Sequence, residues 1–206
     1  IEPGTPAGSA RVLAVRDQGR GDAAAAEMRN RGLPGPVEVR RLDVSDLDDV
    51  ARFAAAWGDQ PVDLLINNAG VSSTKRRGLS AQGFDTIMAT NLIGHAALTG
   101  RLLPVLQRGT APRVVSLGSL VVRQAKLDPS AIGHTDPEHP GRAYADSKLG
   151  CLVFACELQR RSDTHGWGVT SVGAHPGWSR TRIFGTGPLW QGSLVLGRLT
   201  RLAQSP

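Results

Sequence analysis

The sequence predicts an α/β domain in which helices cover both faces of a doubly wound parallel sheet. Three observations carry this expectation. Strand-like and helix-like stretches alternate along nearly the whole chain. The run Val62-Asp63-Leu64-Leu65-Ile66 is almost continuously apolar, the mark of a strand covered on both sides. A chain of 206 residues with 40% hydrophobic side chains suffices for one buried core.

The elements follow in order. Behind a Gly/Pro-rich lead, Arg11-Val12-Leu13-Ala14-Val15 reads as a short buried strand. Residues 21–31 are Ala-rich and helical. Residues 37–44 form the next strand. Ser45 then stands as a helix N-cap with Asp48 at the third helical position, and acids crowd the positive end of a helix that runs to about Trp57. Residues 62–66 are the third strand, and residues 82–106 a long helix broken late by Pro104. Residues 114–117 and 169–174 are strands on either side of a helix over 143–161, and 192–203 is a last helix. Residues 127–142 are polar and Pro-rich, hence a surface loop.

Composition narrows the partners. The net charge is +6, yet all but three of the 24 cationic residues are Arg, scattered apart from Lys75-Arg76-Arg77. Aromatic residues are only 4%, so no stacking platform accompanies the charge, and nucleic acid is not an expected partner. Cys151 and Cys156 fall within one apolar helical run and read as reduced core thiols. His134 and His139, near Asp136 and Glu138, lack the spacing of a ligand set, so no metal is expected. No apolar run approaches the ~20 residues of a membrane span, and a cytoplasmic location is the expectation.

Four signals fall at strand ends or helix starts, where such sheets bind ligands. Asn67-Asn68-Ala69-Gly70 follows the third strand, and its small residues let a flat ligand approach. Ser119 lies two residues past the strand over 114–117. Tyr144-Ala145-Asp146-Ser147-Lys148 puts a phenol and an ammonium on one helix face. His175-Pro176-Gly177-Trp178-Ser179-Arg180-Thr181 ends the last strand.

In this order, on these elements, the motifs resemble those of the short-chain dehydrogenase/reductase family. The details INNAGV, LDVSDL and HPGWSRT are most similar to its retinol-dehydrogenase-like branch and bacterial relatives. The resemblance spans residues 11–181 and implies a single Rossmann-like domain. It also implies hydride transfer between a nicotinamide cofactor and a small-molecule alcohol, ketone or aldehyde. Tyr144 would be the acid/base, the Lys148 charge one turn on together with the cofactor's positive nicotinamide would favour phenolate, and Ser119 would bind the substrate oxygen. Asn91 matches the asparagine that supports a water linking Lys148 to solvent. Asp43 and Val44 would flank the adenine, and Asn68, Ala69 and Gly70 the adenosine ribose. Tyr144 and Lys148 would also face the cofactor, with Pro176, Gly177, Ser179 and Thr181 holding the nicotinamide amide. An Arg follows the first strand at Arg16, which suits a 2′-phosphate, so NADP(H) is favoured, with NAD(H) open. A homodimer is also open.

One departure stands beside the resemblance. The TGxxxGxG phosphate cradle is not found before the Arg11 strand, and a last strand is not found after 192–203. The downstream motifs are intact. The expectation is therefore a chain lacking an upstream strand, Gly-rich turn and helix, unstable and unable to bind cofactor by itself. The rival reading is a catalytically silent binding or scaffold protein on the same fold. Trp178 and Trp190 fit either a substrate pocket or ordinary core contacts.

Overall fold

The computed structural model describes residues 9–72, 78–133 and 142–175. Residues up to Val44 form one compact unit and those from Ser45 a second. The expected helix over 192–203 lies outside the described residues.

In the first unit, β1 (Arg11–Val15) pairs in parallel with β2 (Val37–Arg41), with Leu13 opposite Val39. Between them runs α1 (Gln18–Asn30). It starts three residues earlier than the Ala-rich stretch suggests, because the Asp17 carboxylate accepts from the Arg20 amide at 3.0 Å and caps the helix. Ala25 is fully buried on the inner face of α1.

The second unit opens with α2 (Leu47–Trp57). Its N-cap is Asp46, not Ser45 as expected, because the Asp46 carboxylate reaches the amides of Asp48 and Asp49. The strands β3 (Leu64–Asn67), β4 (Arg113–Leu117) and β5 (Thr170–Ala174) form a parallel sheet in the order 3-4-5. Parallel strands joined by helices are what the sequence predicts, but they make two ladders, β1–β2 and β3–β4–β5.

The expected long helix over 82–106 is three pieces. A short turn α3 (Thr86–Met88), capped by Asp85, runs through a π-helical turn (Ala89–Ile93) into α4 (Gly94–Leu106). Pro104 lies inside α4 and does not break it. Leu98, Leu102 and Leu106, one turn apart, are buried along its inner stripe. The long α5 (Arg142–His165) lies on β4 and β5, with the Leu152 side chain seated against Gly118 and Gly173. Among the described residues, no helix is long and apolar enough to cross a membrane.

Among the described residues, one face of the apolar run at β3 is not covered. Leu64 and Ile66 are about half exposed, and Val172, in register with Ile66 through Val115, is also exposed. The opposite face, where α4 and α5 lie, carries the buried Val114 and Ser116. One sheet face therefore contributes far more to stability than the other. Leu106→Ala should cost about 2–5 kcal/mol in chemical denaturation and Leu64→Ala well under half as much. Equal losses would show that the Leu64 face is buried in solution.

Candidate active site

Four elements of the second unit converge on the phenol of Tyr144, which is 8% exposed near the start of α5. Ile87, Ala143 and Tyr144 form one apolar cluster, edged by Val71 and Val121. Ser119 lies just past β4 and caps a 3-10 turn (Leu120–Gln124). Its side chain lies close enough to the Tyr144 hydroxyl to favour the phenolate. The expected convergence of Ser119 and Tyr144 is therefore present.

Lys148 follows Tyr144 by one turn and is 5% exposed. Its ammonium donates to the Leu117 carbonyl at 2.9 Å and lies 5.9 Å from the centre of the Tyr144 ring. Burial pulls the Lys148 pKa below its usual range. Burial pushes the phenol above its ordinary value of 10, the Ser119 side chain opposes this, and the nearby Cys151 adds to the rise. The Lys148 ammonium is committed to a carbonyl, and burial disfavours the anion more than Ser119 favours it.

Asn91 sits in the π-helical turn, 1% exposed. Its side-chain oxygen accepts from the Val71 amide at 2.8 Å, and its amide nitrogen donates to the Val71 carbonyl and the Ser147 hydroxyl, each at 2.9 Å. Ser147 in turn donates to the Tyr144 carbonyl at 2.8 Å. One asparagine thus couples the segment after β3 to the helix that bears Tyr144. The π turn also frees main-chain acceptors, and the Asn91 carbonyl accepts from the Cys151 thiol at 3.1 Å. Of the two cysteines, Cys151 is buried as expected, whereas Cys156 is exposed on the outer side of α5.

Asn68 and Ala69 are exposed and Gly70 is half-buried, so the turn after β3 presents bare backbone. It is held from below by two residues that motif reading did not single out. His95 donates from Nε2 to the Ala69 carbonyl at 2.8 Å, and Thr99 accepts from the Asn67 amide at 3.1 Å. Their one-turn spacing with Asn91 in the sequence is the signal that would have found them.

Beyond Ser119, the chain is fastened to the first turns of α5. Asp146 accepts from the Lys126 amide at 2.7 Å, and Arg142 donates to the Lys126 carbonyl at 3.1 Å. The two side chains are themselves an ion pair.

In the first unit, Arg16 is exposed directly after β1, Asp43 is half-buried and Val44 is buried. Pro176, Gly177, Ser179 and Thr181, together with Trp178, Trp190, His134 and His139, lie outside the described residues.

The chain is similar to known proteins. The family described as short chain dehydrogenase matches residues 6–191. Dehydrogenase/reductase SDR family member 13 of Bos taurus is 37% identical over 177 residues, covering 84% of this chain and 46% of that protein. Retinol dehydrogenase 13 of Homo sapiens is 35% identical over 175 residues, covering 84% of this chain and 52% of that protein. The chain spans about half the length of the curated relatives it matches. An uncharacterized Mycobacterium paratuberculosis protein of solved structure is 39% identical with a TM-score of 0.70, covering 84% of this chain and 60% of that one. An alcohol dehydrogenase from Thermococcus sibiricus, solved with 5-hydroxy-NADP, is 26% identical with a TM-score of 0.63, covering 88% and 71%.

Because Tyr144 is the chain's only tyrosine, its ionisation can be read directly. A spectrophotometric titration should give a midpoint above the ~10 of a free phenol, and Ser119→Ala should move it higher still. The sign for stability follows. The folded state keeps the proton longer than the unfolded one, so this group's contribution is full below pH ~10 and is lost as the pH rises above it. A midpoint below 10 would mean that a charge, not burial, governs the phenol.

Proposed function

Since this chain belongs to the short-chain dehydrogenase family, we propose that it serves an NADP(H)-dependent oxidoreductase acting on an alcohol, ketone or aldehyde, with Tyr144 as the acid/base. The observation that carries this reading is the pairing of a buried Tyr144 with a buried Lys148 one turn along, the ammonium 5.9 Å from the ring centre.

The residues after β3 fit the ribose side of a nicotinamide dinucleotide. At Gly70 a Cβ would come within 3.3 Å of Asn91 Oδ1 and 3.5 Å of Lys148 Nζ, so glycine leaves the backbone bare beside the ammonium. Asn68, Ala69 and Gly70 would border the ribose, and Lys148 offers donors to its hydroxyls. In the first unit, Asp17 is committed to capping α1 and pairs with Arg20. Arg16 is exposed and makes no hydrogen bond or ion pair among the described residues. A free guanidinium beside an engaged carboxylate supports a 2′-phosphate over a bare ribose hydroxyl. Asp43 and Val44 would border the adenine. Pro176, Gly177, Ser179 and Thr181 remain proposed contacts to the nicotinamide amide.

When bound, the cofactor supplies or removes the hydride and brings a cationic ring in its oxidised form. The chain's own residues handle the proton. In reduction, Ser119 donates a hydrogen bond to the substrate carbonyl oxygen, and Tyr144 delivers its proton to that oxygen as the alcohol forms. Burial keeps that proton on the phenol at neutral pH. In oxidation the same proton returns to Tyr144. Asn91, by fixing Val71 and Ser147, holds the Lys148 helix turn in place and supports proton exchange with solvent.

Three substitutions test this in the active enzyme. Tyr144→Phe should lower kcat about 10³-fold while cofactor fluorescence still titrates. Ser119→Ala should lose about 10²-fold in kcat. Arg16→Asp should move the NADP(H)/NAD(H) ratio of kcat/KM by tenfold or more toward NAD(H). Full turnover by the Tyr144→Phe variant would overturn the assignment and favour a silent binding protein.

A further inference from the structure

The polar stripe below the turn after β3 has a register. Asn91, His95 and Thr99 are spaced by four residues, so they stand about 6 Å apart along one helix face. Their partners Val71, Ala69 and Asn67 are spaced by two residues along the turn after β3. The helix grips the segment at every second residue, through the backbone at Val71 and Ala69 and through the side chain at Asn67. Thr99 also donates to the His95 carbonyl at 2.8 Å, which ties two of the grips together.

His95 is the informative member. It is 7% exposed, and its Nδ1 is buried with no hydrogen-bond partner among the described residues. A buried, unpaired ring nitrogen is a desolvation cost that Leu or Met at this position would avoid. The only bond that offsets it is Nε2 to the Ala69 carbonyl. A carbonyl only accepts, so Nε2 must carry the proton and Nδ1 must lack it. Burial and the Lys148 charge both hold the ring in this neutral form.

We propose that His95 is a positioning residue for the cofactor-facing turn: through its Nε2–H it fixes the Ala69 carbonyl and so sets where Asn68, Ala69 and Gly70 present their backbone to the dinucleotide. The proposal rests on the oxidoreductase reading above. It adds a residue that touches neither substrate nor cofactor and that acts through cofactor affinity, not through the chemical step.

The test compares His95→Leu, which keeps bulk and loses the donor, with His95→Gln, whose terminal amide places a donor near the former Nε2. In the enzyme, His95→Leu should raise KM for NADP(H) about tenfold and leave kcat within about twofold. His95→Gln should recover most of that loss. Amide exchange at Val71 should accelerate in the Leu variant and return toward the parent rate in the Gln variant. The imidazole ¹⁵N spectrum of the parent should show one histidine, lost in both variants, protonated at Nε2 only. Equal KM for parent and Leu variant, a fall in kcat instead of a rise in KM, a Gln variant no better than Leu, or a ring protonated at Nδ1 would each overturn the proposal. Absence of any nicotinamide-dependent turnover in a parent that carries an upstream strand, Gly-rich turn and helix would instead fail the oxidoreductase reading, and with it the cofactor role of His95. Amide exchange and the nitrogen spectrum would then still decide whether His95 anchors the turn.

Discussion

Nearly everything near Tyr144 depends on how one helix holds a segment that has no regular structure of its own. The chain leaves β3 at Asn67, turns through Ala69 and Gly70, and passes Val71 with its peptide groups unpaired by any strand. Unpaired peptide groups next to a core are costly, and here side chains satisfy them. Asn91 takes both the amide and the carbonyl of Val71, and His95 takes the carbonyl of Ala69. Asn91 also bonds Ser147. The same side chain that fixes the turn therefore fixes α5 one residue before Lys148. A displacement of α4 would move the bare backbone at Gly70 and the ammonium beside it together.

The energetics of the phenol follow from this tight enclosure. Burying Tyr144 among Ile87, Val71 and Val121 raises the cost of its anion, and the Ser119 side chain does not cancel it. Lys148 is equally enclosed, and its charge is stabilised at the Leu117 carbonyl at the end of β4. Two groups of opposite tendency thus sit one turn apart, each held toward its neutral form by burial.

How much of this was legible in the sequence divides along a physical line. Short-range patterns were legible: β1, β4 and β5 fall within a residue of where apolar runs place them, and the Tyr144–Lys148 spacing puts both on one helix face. Competition between neighbours was not. Ser45 and Asp46 are both good caps, and only the geometry of the turn chose Asp46. The π turn at Asn91 inserts an extra residue that no propensity scale encodes, because the bonds of its side chain to Val71 and Ser147 stabilise it from outside the helix. Pro104 reads as a breaker, yet the helix continues through it. His95 and Thr99 look like ordinary helix residues until their partners 26 and 32 positions away are known. The apolar run at β3 implied two covered faces, but periodicity reports only that a strand lacks a polar side, not what lies against it.

A similar economy governs the wall on the far side of Ser119. Segments between a strand end and a distant helix are usually mobile, since few of their peptide groups have partners. Here Lys126 has both its amide and its carbonyl held, by Asp146 and Arg142 respectively. An Arg at the first residue of α5 stands against the positive end of the helix dipole, which is unfavourable by itself. Asp146, one turn on, offsets that charge as well as accepting the Lys126 amide, so the pair is worth more here than an exposed ion pair elsewhere on the surface. Arg142 and Asp146 lie two residues either side of Tyr144. The helix turn that places the phenol is therefore the same turn that fastens the segment leading away from Ser119. The distance between the two hydroxyls is set from α5 as well as from β4.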